Sequence, residues 1–204
     1  MARLLICGFE AFPAAPRNPA AASVEALRAR RWRPEGCEAA FHTLPVAWRR
    51  SAEAATAHLA SARFDALLLV GVAVASEVFR VETVARNRAA GEKADHDGET
   101  WPFPTIGATG PEAVSSTAPC DAMLAAIRAQ ALPARLSQDA GDYLCNFTFY
   151  RVLQTADPVP VGFLHVPQAR ECAAEAAFDL ADVILAVQAC ANVLAATVRH
   201  PAAL

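Results

Sequence analysis

The sequence has no CxxC pair and no CxxC followed by an HxxxH spacing, so it offers neither a redox dithiol nor a zinc module. Its six cysteines (Cys7, Cys37, Cys120, Cys145, Cys172 and Cys190) and five histidines (His42, His58, His96, His165 and His200) are dispersed. The expectation is of reduced thiols in a cytoplasm, with no zinc or iron site. Blocks of like charge are missing as well. With a net charge of −3 and a pI of about 5.9, no basic footprint for nucleic acid or an anionic membrane forms. The most apolar stretch, "VILAVQACANVLAATV" (183–198), is interrupted by Gln188 and Asn192 and falls short of the roughly 20 residues that span a bilayer. It reads as a buried or interface helix. The opening "MARLLICGFEAF" lacks the long apolar core and small-residue cleavage site of a signal peptide, and reads as a first strand.

What is present is a hydrophobic majority, 54% of 204 residues, enough to fill the core of one domain spanning 1–204. Short apolar runs predict strands at 3–9, 38–46, 65–74, 134–138 and 159–166. Alanine-rich segments with helical spacing lie between them, at 19–31, 49–62, 119–130, 145–155 and 171–199. Strands alternating with helices predict an α/β domain whose mainly parallel sheet is covered on both faces. "RNPAAASVEALRAR" gives one helix start a mechanism, with Asn18 as N-cap and Pro19 in the first turn. The exception to this rhythm is 86–116, rich in Gly, Pro and charge, a length of irregular chain that is mobile or functional.

Chemistry concentrates near "DYLCNF" (142–147). Free cysteine is often a buried structural residue, but Cys145 is expected at a helix N-terminus, where peptide dipoles favour a thiolate and free N–H groups can hold an oxyanion. "GFLHVPQAR" supplies His165 at a strand end, where ligand crevices of α/β sheets lie. A third group must fix the imidazole tautomer. By spacing alone Glu77 and Glu82 are both candidates.

These residues sit in motifs that resemble pyroglutamyl peptidase type I, the pyrrolidone-carboxylate or C15 cysteine peptidases. "LLICGFEAFPAAPRNPA" is similar to the family's GFEPFGG…NPS opening, and "TLPVAW" to its LPV element. The AG-x-x-x-CN and GF-x-HVP pair, here "AGDYLCN" and "GFLHVP", is the specific signal. The resemblance covers nearly the whole chain. It implies a three-layer α/β/α sandwich with a mainly parallel, mixed central sheet and a triad of Cys145, His165 and Glu82, the last because "VETVARN" is similar to PERVAIN. It also implies hydrolysis of N-terminal pyroglutamate from peptides without metal or cofactor, in a cytoplasmic homo-oligomer, dimer or tetramer. Phe9 and Phe12 match the phenylalanines that wall the lactam ring, and Asn18, Val72, Tyr143 and Leu144 fall at the remaining pocket positions.

The departures are local. The family's GQAGGR is here "GVAVAS" (71–76), and its FGG is "FPAA", where Pro13 removes a backbone donor. The arginine that the family carries about ten residues after the glutamate is absent, with Glu92 and Lys93 near that place. Two other readings therefore stand beside the first: a thiol hydrolase of changed N-acyl specificity, and a non-catalytic homologue acting as a binding protein.

Overall fold

Runs that are apolar at every position become the middle of the sheet. The computed structural model describes residues 1–199; residues 200–204, including His200, lie outside the described residues. The chain runs β1 (Ala2–Phe9), α1 (Pro19–Ala29), β2 (Cys37–Leu44), α2 (Trp48–Ser61), β3 (Ala66–Val72), β4 (Phe79–Glu82), β5 (Val84–Arg86), β6 (Ala113–Ser115), α3 (Cys120–Ala129), β7 (Ala134–Ser137), α4 (Leu144–Leu153), β8 (Val161–Val166) and α5 (Leu180–Arg199). A six-stranded sheet has the order β2-β1-β3-β8-β4-β7. β3 and β8, buried along their whole length, occupy its centre. Each large apolar side chain they bury contributes about 2 kcal/mol.

The connections explain the layers. β1–α1–β2 steps to one side, and β2–α2–β3 returns across β1 to the other, so right-handed crossovers put α1 and α2 on opposite faces. One core holds Val24 and Leu27 of α1, Met123 and Ile127 of α3, and Val183, Val187 and Leu194 of α5 against one face. The other holds Trp48 and Ala52 of α2 and Phe147 and Tyr150 of α4 against the opposite face. The fold is the expected α/β/α sandwich. Its sheet is mixed because β4 pairs antiparallel with β8 while the pairs β1–β2, β1–β3, β3–β8 and β4–β7 are parallel.

Helix α1 starts as expected: Pro19 occupies the first turn, and the Asn18 side chain accepts from Ala20 N at 2.9 Å, a cap of about 1 kcal/mol. Its start lies so close to β1 that a Cβ on Gly8 would stand 2.7 Å from the Ala20 carbonyl oxygen. The helix expected over 171–199 begins only at Leu180. Alanine carries helical propensity but does not fix a boundary; here Phe178 packs on Phe79 at 5.2 Å and Asp182 accepts from Asp179 N, which sets the start. Helix α5 has 20 residues and a mean hydropathy of 1.7 over its most apolar window, and its buried face lies on β1 and β3.

Three strands have no counterpart in the sequence reading: β4, β5 and β6, of three or four residues each. β5 and β6 pair antiparallel and bracket the irregular segment. That segment is held from within: Asn87 bonds Ile106 N, Gly107 N and Gly107 O, and Asp95 caps α2 by accepting from Trp48 N at 2.9 Å.

Candidate active site

The period-two alternation of strands decides which side chains meet. Phe79, Val81, Leu164 and Val166 face the α1/α3/α5 core, so Arg80, Glu82 and His165 face α2 and α4. In the antiparallel register Arg80 lies directly opposite His165, and Glu82 is its diagonal neighbour. On the other flank, Gly71 of β3 is the partner of His165. Cys145, the second residue of α4, projects over Gly71: a Cβ there would stand 2.8 Å from its Sγ and 3.0 Å from the Phe163 ring. Gly71 is thus the place that holds the thiol beside the histidine.

His165 is buried and its Nδ1 lies 2.8 Å from Glu82 Oε1. Glu82 is fully buried. With the Nδ1 proton directed at this carboxylate, Nε2 is left as the acceptor. Of the two acids compatible with the sequence, Glu82 is the one that meets the imidazole. Asn146 anchors the cysteine from behind: it is buried, accepts from Arg86 N at 2.8 Å and donates to Arg86 O and Arg88 O.

Phe9, Phe12, Asn18, Val72, Tyr143, Leu144, Cys145 and His165 all line one cavity of about 200 Å³. Glu82 stands behind His165, outside the lining. Asn18 is a wall residue whose polar atoms are committed elsewhere: its Nδ2 donates to Phe9 O and Glu10 O, and its Oδ1 accepts from Ala20 N in the α1 cap. Tyr143 donates to Ala94 O at 2.8 Å, tying the cavity to the irregular segment. Burial, with Asp95 and Cys145 adding to it, pushes that phenol up to about 12. A wider cleft of about 460 Å³ beside Trp48 and Trp101 has neither cysteine nor histidine in its lining.

Protonation runs against one expectation. Burial pushes the Cys145 thiol up to about 12, Glu82 adds to the rise and Arg80 opposes it. The N-terminus of α4 also opposes the rise. Burial holds His165 below its ordinary value, with Glu82 acting in the opposite sense. Burial thus opposes ionisation of both members of the pair. Lys93 does not supply a cation to the cavity: exposed, it pairs with Asp142 at 2.9 Å. The cation in the lining is Arg80, which sequence reasoning missed. The available signal was R-x-E, a two-residue spacing that puts both charges on one strand face.

Gly71→Ala is expected to keep the fold but lower turnover about a hundredfold. Sγ can rotate away from the new methyl at little cost, and rotation takes it off His165. Circular dichroism melts with initial rates check this; a variant of unchanged activity would show that the thiol does not work from above Gly71.

The family model for pyroglutamyl peptidase, Peptidase C15, matches residues 2–199. A pyrrolidone-carboxylate peptidase of Streptococcus pyogenes serotype M12 is 31% identical over 195 residues, covering 92% of this chain and 89% of that protein. The pyrrolidone carboxyl peptidase structure from Thermococcus litoralis superposes with a TM-score of 0.90 at 24% identity, covering 98% of this chain and 96% of that one. The pyroglutamyl peptidase I structure from Bacillus amyloliquefaciens gives 0.86 at 23% identity, covering 96% of this chain and 98% of that one. The family match over nearly the whole length and the sequence identity agree: this chain belongs to the pyroglutamyl peptidase family of cysteine peptidases.

Proposed function

We propose that this protein hydrolyses N-terminal pyroglutamate from peptides by thiol catalysis, with Cys145 as nucleophile, His165 as general base and then acid, and Glu82 as the group that orients the imidazole. The observation that carries the reading is the convergence at one cavity of a thiol over Gly71, a cross-strand imidazole and a buried carboxylate 2.8 Å from its Nδ1.

The substrate carbonyl enters the cavity and sulfur attacks its carbon while the thiol proton passes to His165 Nε2. Starting from neutral partners, the charges are created together, in the attack itself. The tetrahedral oxyanion meets the start of α4, where Tyr143 provides no side-chain cap and the first-turn N–H groups have no acceptor within the helix. The His165 imidazolium, stabilised by Glu82, gives its proton to the departing amine, and the C–N bond breaks to leave a thioester on Cys145. Water deprotonated by His165 then attacks the thioester, and pyroglutamate leaves as the thiol is restored.

Phe9, Phe12, Val72 and Leu144 offer apolar walls to the flat lactam carbons. A cavity of about 200 Å³ suits a small acyl group rather than a long one. The cytoplasmic, homo-oligomeric state that the resemblance implies is part of the same proposal; size exclusion with light scattering reads the oligomer.

The test is release of a fluorogenic amine from a pyroglutamyl amide, in reducing buffer with chelator, beside a panel of other N-acyl amides. Release from the pyroglutamyl compound is expected, with an acid limb below pH 6.5, because His165 must be neutral to take the thiol proton and burial lowers its affinity for one. No release from protein whose Cys145 is reduced and unmodified by mass spectrometry sinks the reading. Release from another N-acyl compound alone shows that Val72 and Pro13 have changed the acyl group accepted.

A further inference from the structure

We propose that Arg80 is a positioning residue of this site, its guanidinium compensating the charge of buried Glu82 and keeping the Glu82–His165 pair oriented with Nε2 toward Cys145; the assignment rests on the roles given above.

The geometry is specific. Arg80 and Glu82 are two apart on β4 and share a face. Arg80 Nε lies 3.2 Å from Glu82 Oε1, and its Nη2 lies 3.3 Å from His165 Nδ1. Nδ1 has room for one proton. If it accepted a hydrogen bond from Arg80, its lone pair would face the Glu82 oxygen 2.8 Å away, so the proton belongs between Nδ1 and Glu82. Arg80 Nε and Glu82 Oε2 are both buried without a hydrogen-bond partner. What Arg80 contributes is therefore its charge beside a carboxylate that water does not reach. Its side chain keeps 20% exposure and reaches the cavity wall, so one cation faces the acid, the imidazole and the space where substrate sits.

The consequence is a control on when His165 takes up a proton. The groups facing His165 are Arg80 and Glu82 from β4, Cys145 from α4, and Asp139 from the loop before α4, itself paired with Arg88. Arg80 opposes protonation of His165, whereas Glu82 and Asp139 favour it. Without Arg80 burial still opposes protonation but no cation does, so Glu82 and Asp139 make the imidazole charge at higher pH than in wild type, where it no longer serves as a base.

Arg80→Met keeps the stem's packing and removes the charge, while Arg80→Lys keeps a charge. Two readouts apply: the pH profile of kcat/KM on a pyroglutamyl amide, and NMR titration of the His165 imidazole in the Cys145→Ala background, which needs no turnover. Arg80→Met is expected to raise both the acid limb and the imidazole titration by about one pH unit, and Arg80→Lys to stay within a few tenths of a unit of wild type. Unchanged titration in Arg80→Met, or a lysine variant that behaves like the methionine one, overturns the proposal. If Arg80→Met does not fold, Arg80→Lys decides alone: a limb near wild type supports the charge role, and one displaced upward by a unit overturns it. Should wild type release no pyroglutamate, the proposed reaction fails while the imidazole titration still reads the effect of Arg80.

Discussion

Cys145→Ala is expected to lower release of a fluorogenic amine from a pyroglutamyl amide by at least about a thousandfold, while costing about 1 kcal/mol of stability or less. The sulfur is half-buried above Gly71 and no other cysteine lines the cavity among the described residues, so no second nucleophile stands in its place. The alanine variant keeps the α4 backbone, the Asn146 anchor and the His165–Glu82 contact, none of which depends on the thiol. Initial rates and thermal melts on wild type and variant check the two halves. Persistent activity would mean a water-based mechanism in the same cavity; a large loss of stability would mean that the residue is mainly structural. Because burial pushes the thiol up to about 12, iodoacetamide labelling of Cys145 is expected to climb with pH through 8 and beyond, without the neutral-pH plateau of a preformed thiolate.

Glu82→Gln is expected to reduce kcat by about a hundredfold or more at near-wild-type stability, because the amide fills the same space but no longer stabilises the imidazolium. The sign of the pH shift is informative. Glu82 raises the proton affinity of His165, so removing its charge moves the acid limb to lower pH, opposite to the shift expected for Arg80→Met. Glu82→Ala is a harsher change: it leaves the buried Nδ1 proton without its acceptor and the Arg80 charge without its counter-ion, at a cost of about 3 kcal/mol. A pH profile for the glutamine variant and a melt for the alanine variant separate these effects. A Glu82→Gln enzyme with wild-type kcat would remove Glu82 from the mechanism.

Much of this arrangement was legible in the residues. The all-apolar run from Leu67 to Val70 announced a central strand, and Asn18–Pro19 announced a helix start, because those signals are local and act through burial or capping. The cysteine at a helix start and the histidine at a strand end were readable for the same reason. Strand β4 was not: four residues with charges at alternate positions give too short and too polar a run, and its strand state comes from pairing with β7 and β8. The burial that raises the thiol is likewise not visible in the residues, whereas the helix N-terminus that opposes it is.

The sequence by itself determined the two-faced strands, the helix that carries Cys145, the strand that carries His165 and the motifs that place the chain in its family. Each is set by residues within a few positions of one another. Only the tertiary structure decided which cation faces the histidine, and how Glu82, the acid that the family motif names, reaches it. Glu82 is 83 residues from His165 along the chain, and Arg80 is 85, so no local pattern links them. The antiparallel register of β4 against β8 brings them together, and burying Glu82 there sets its charge against the Arg80 guanidinium.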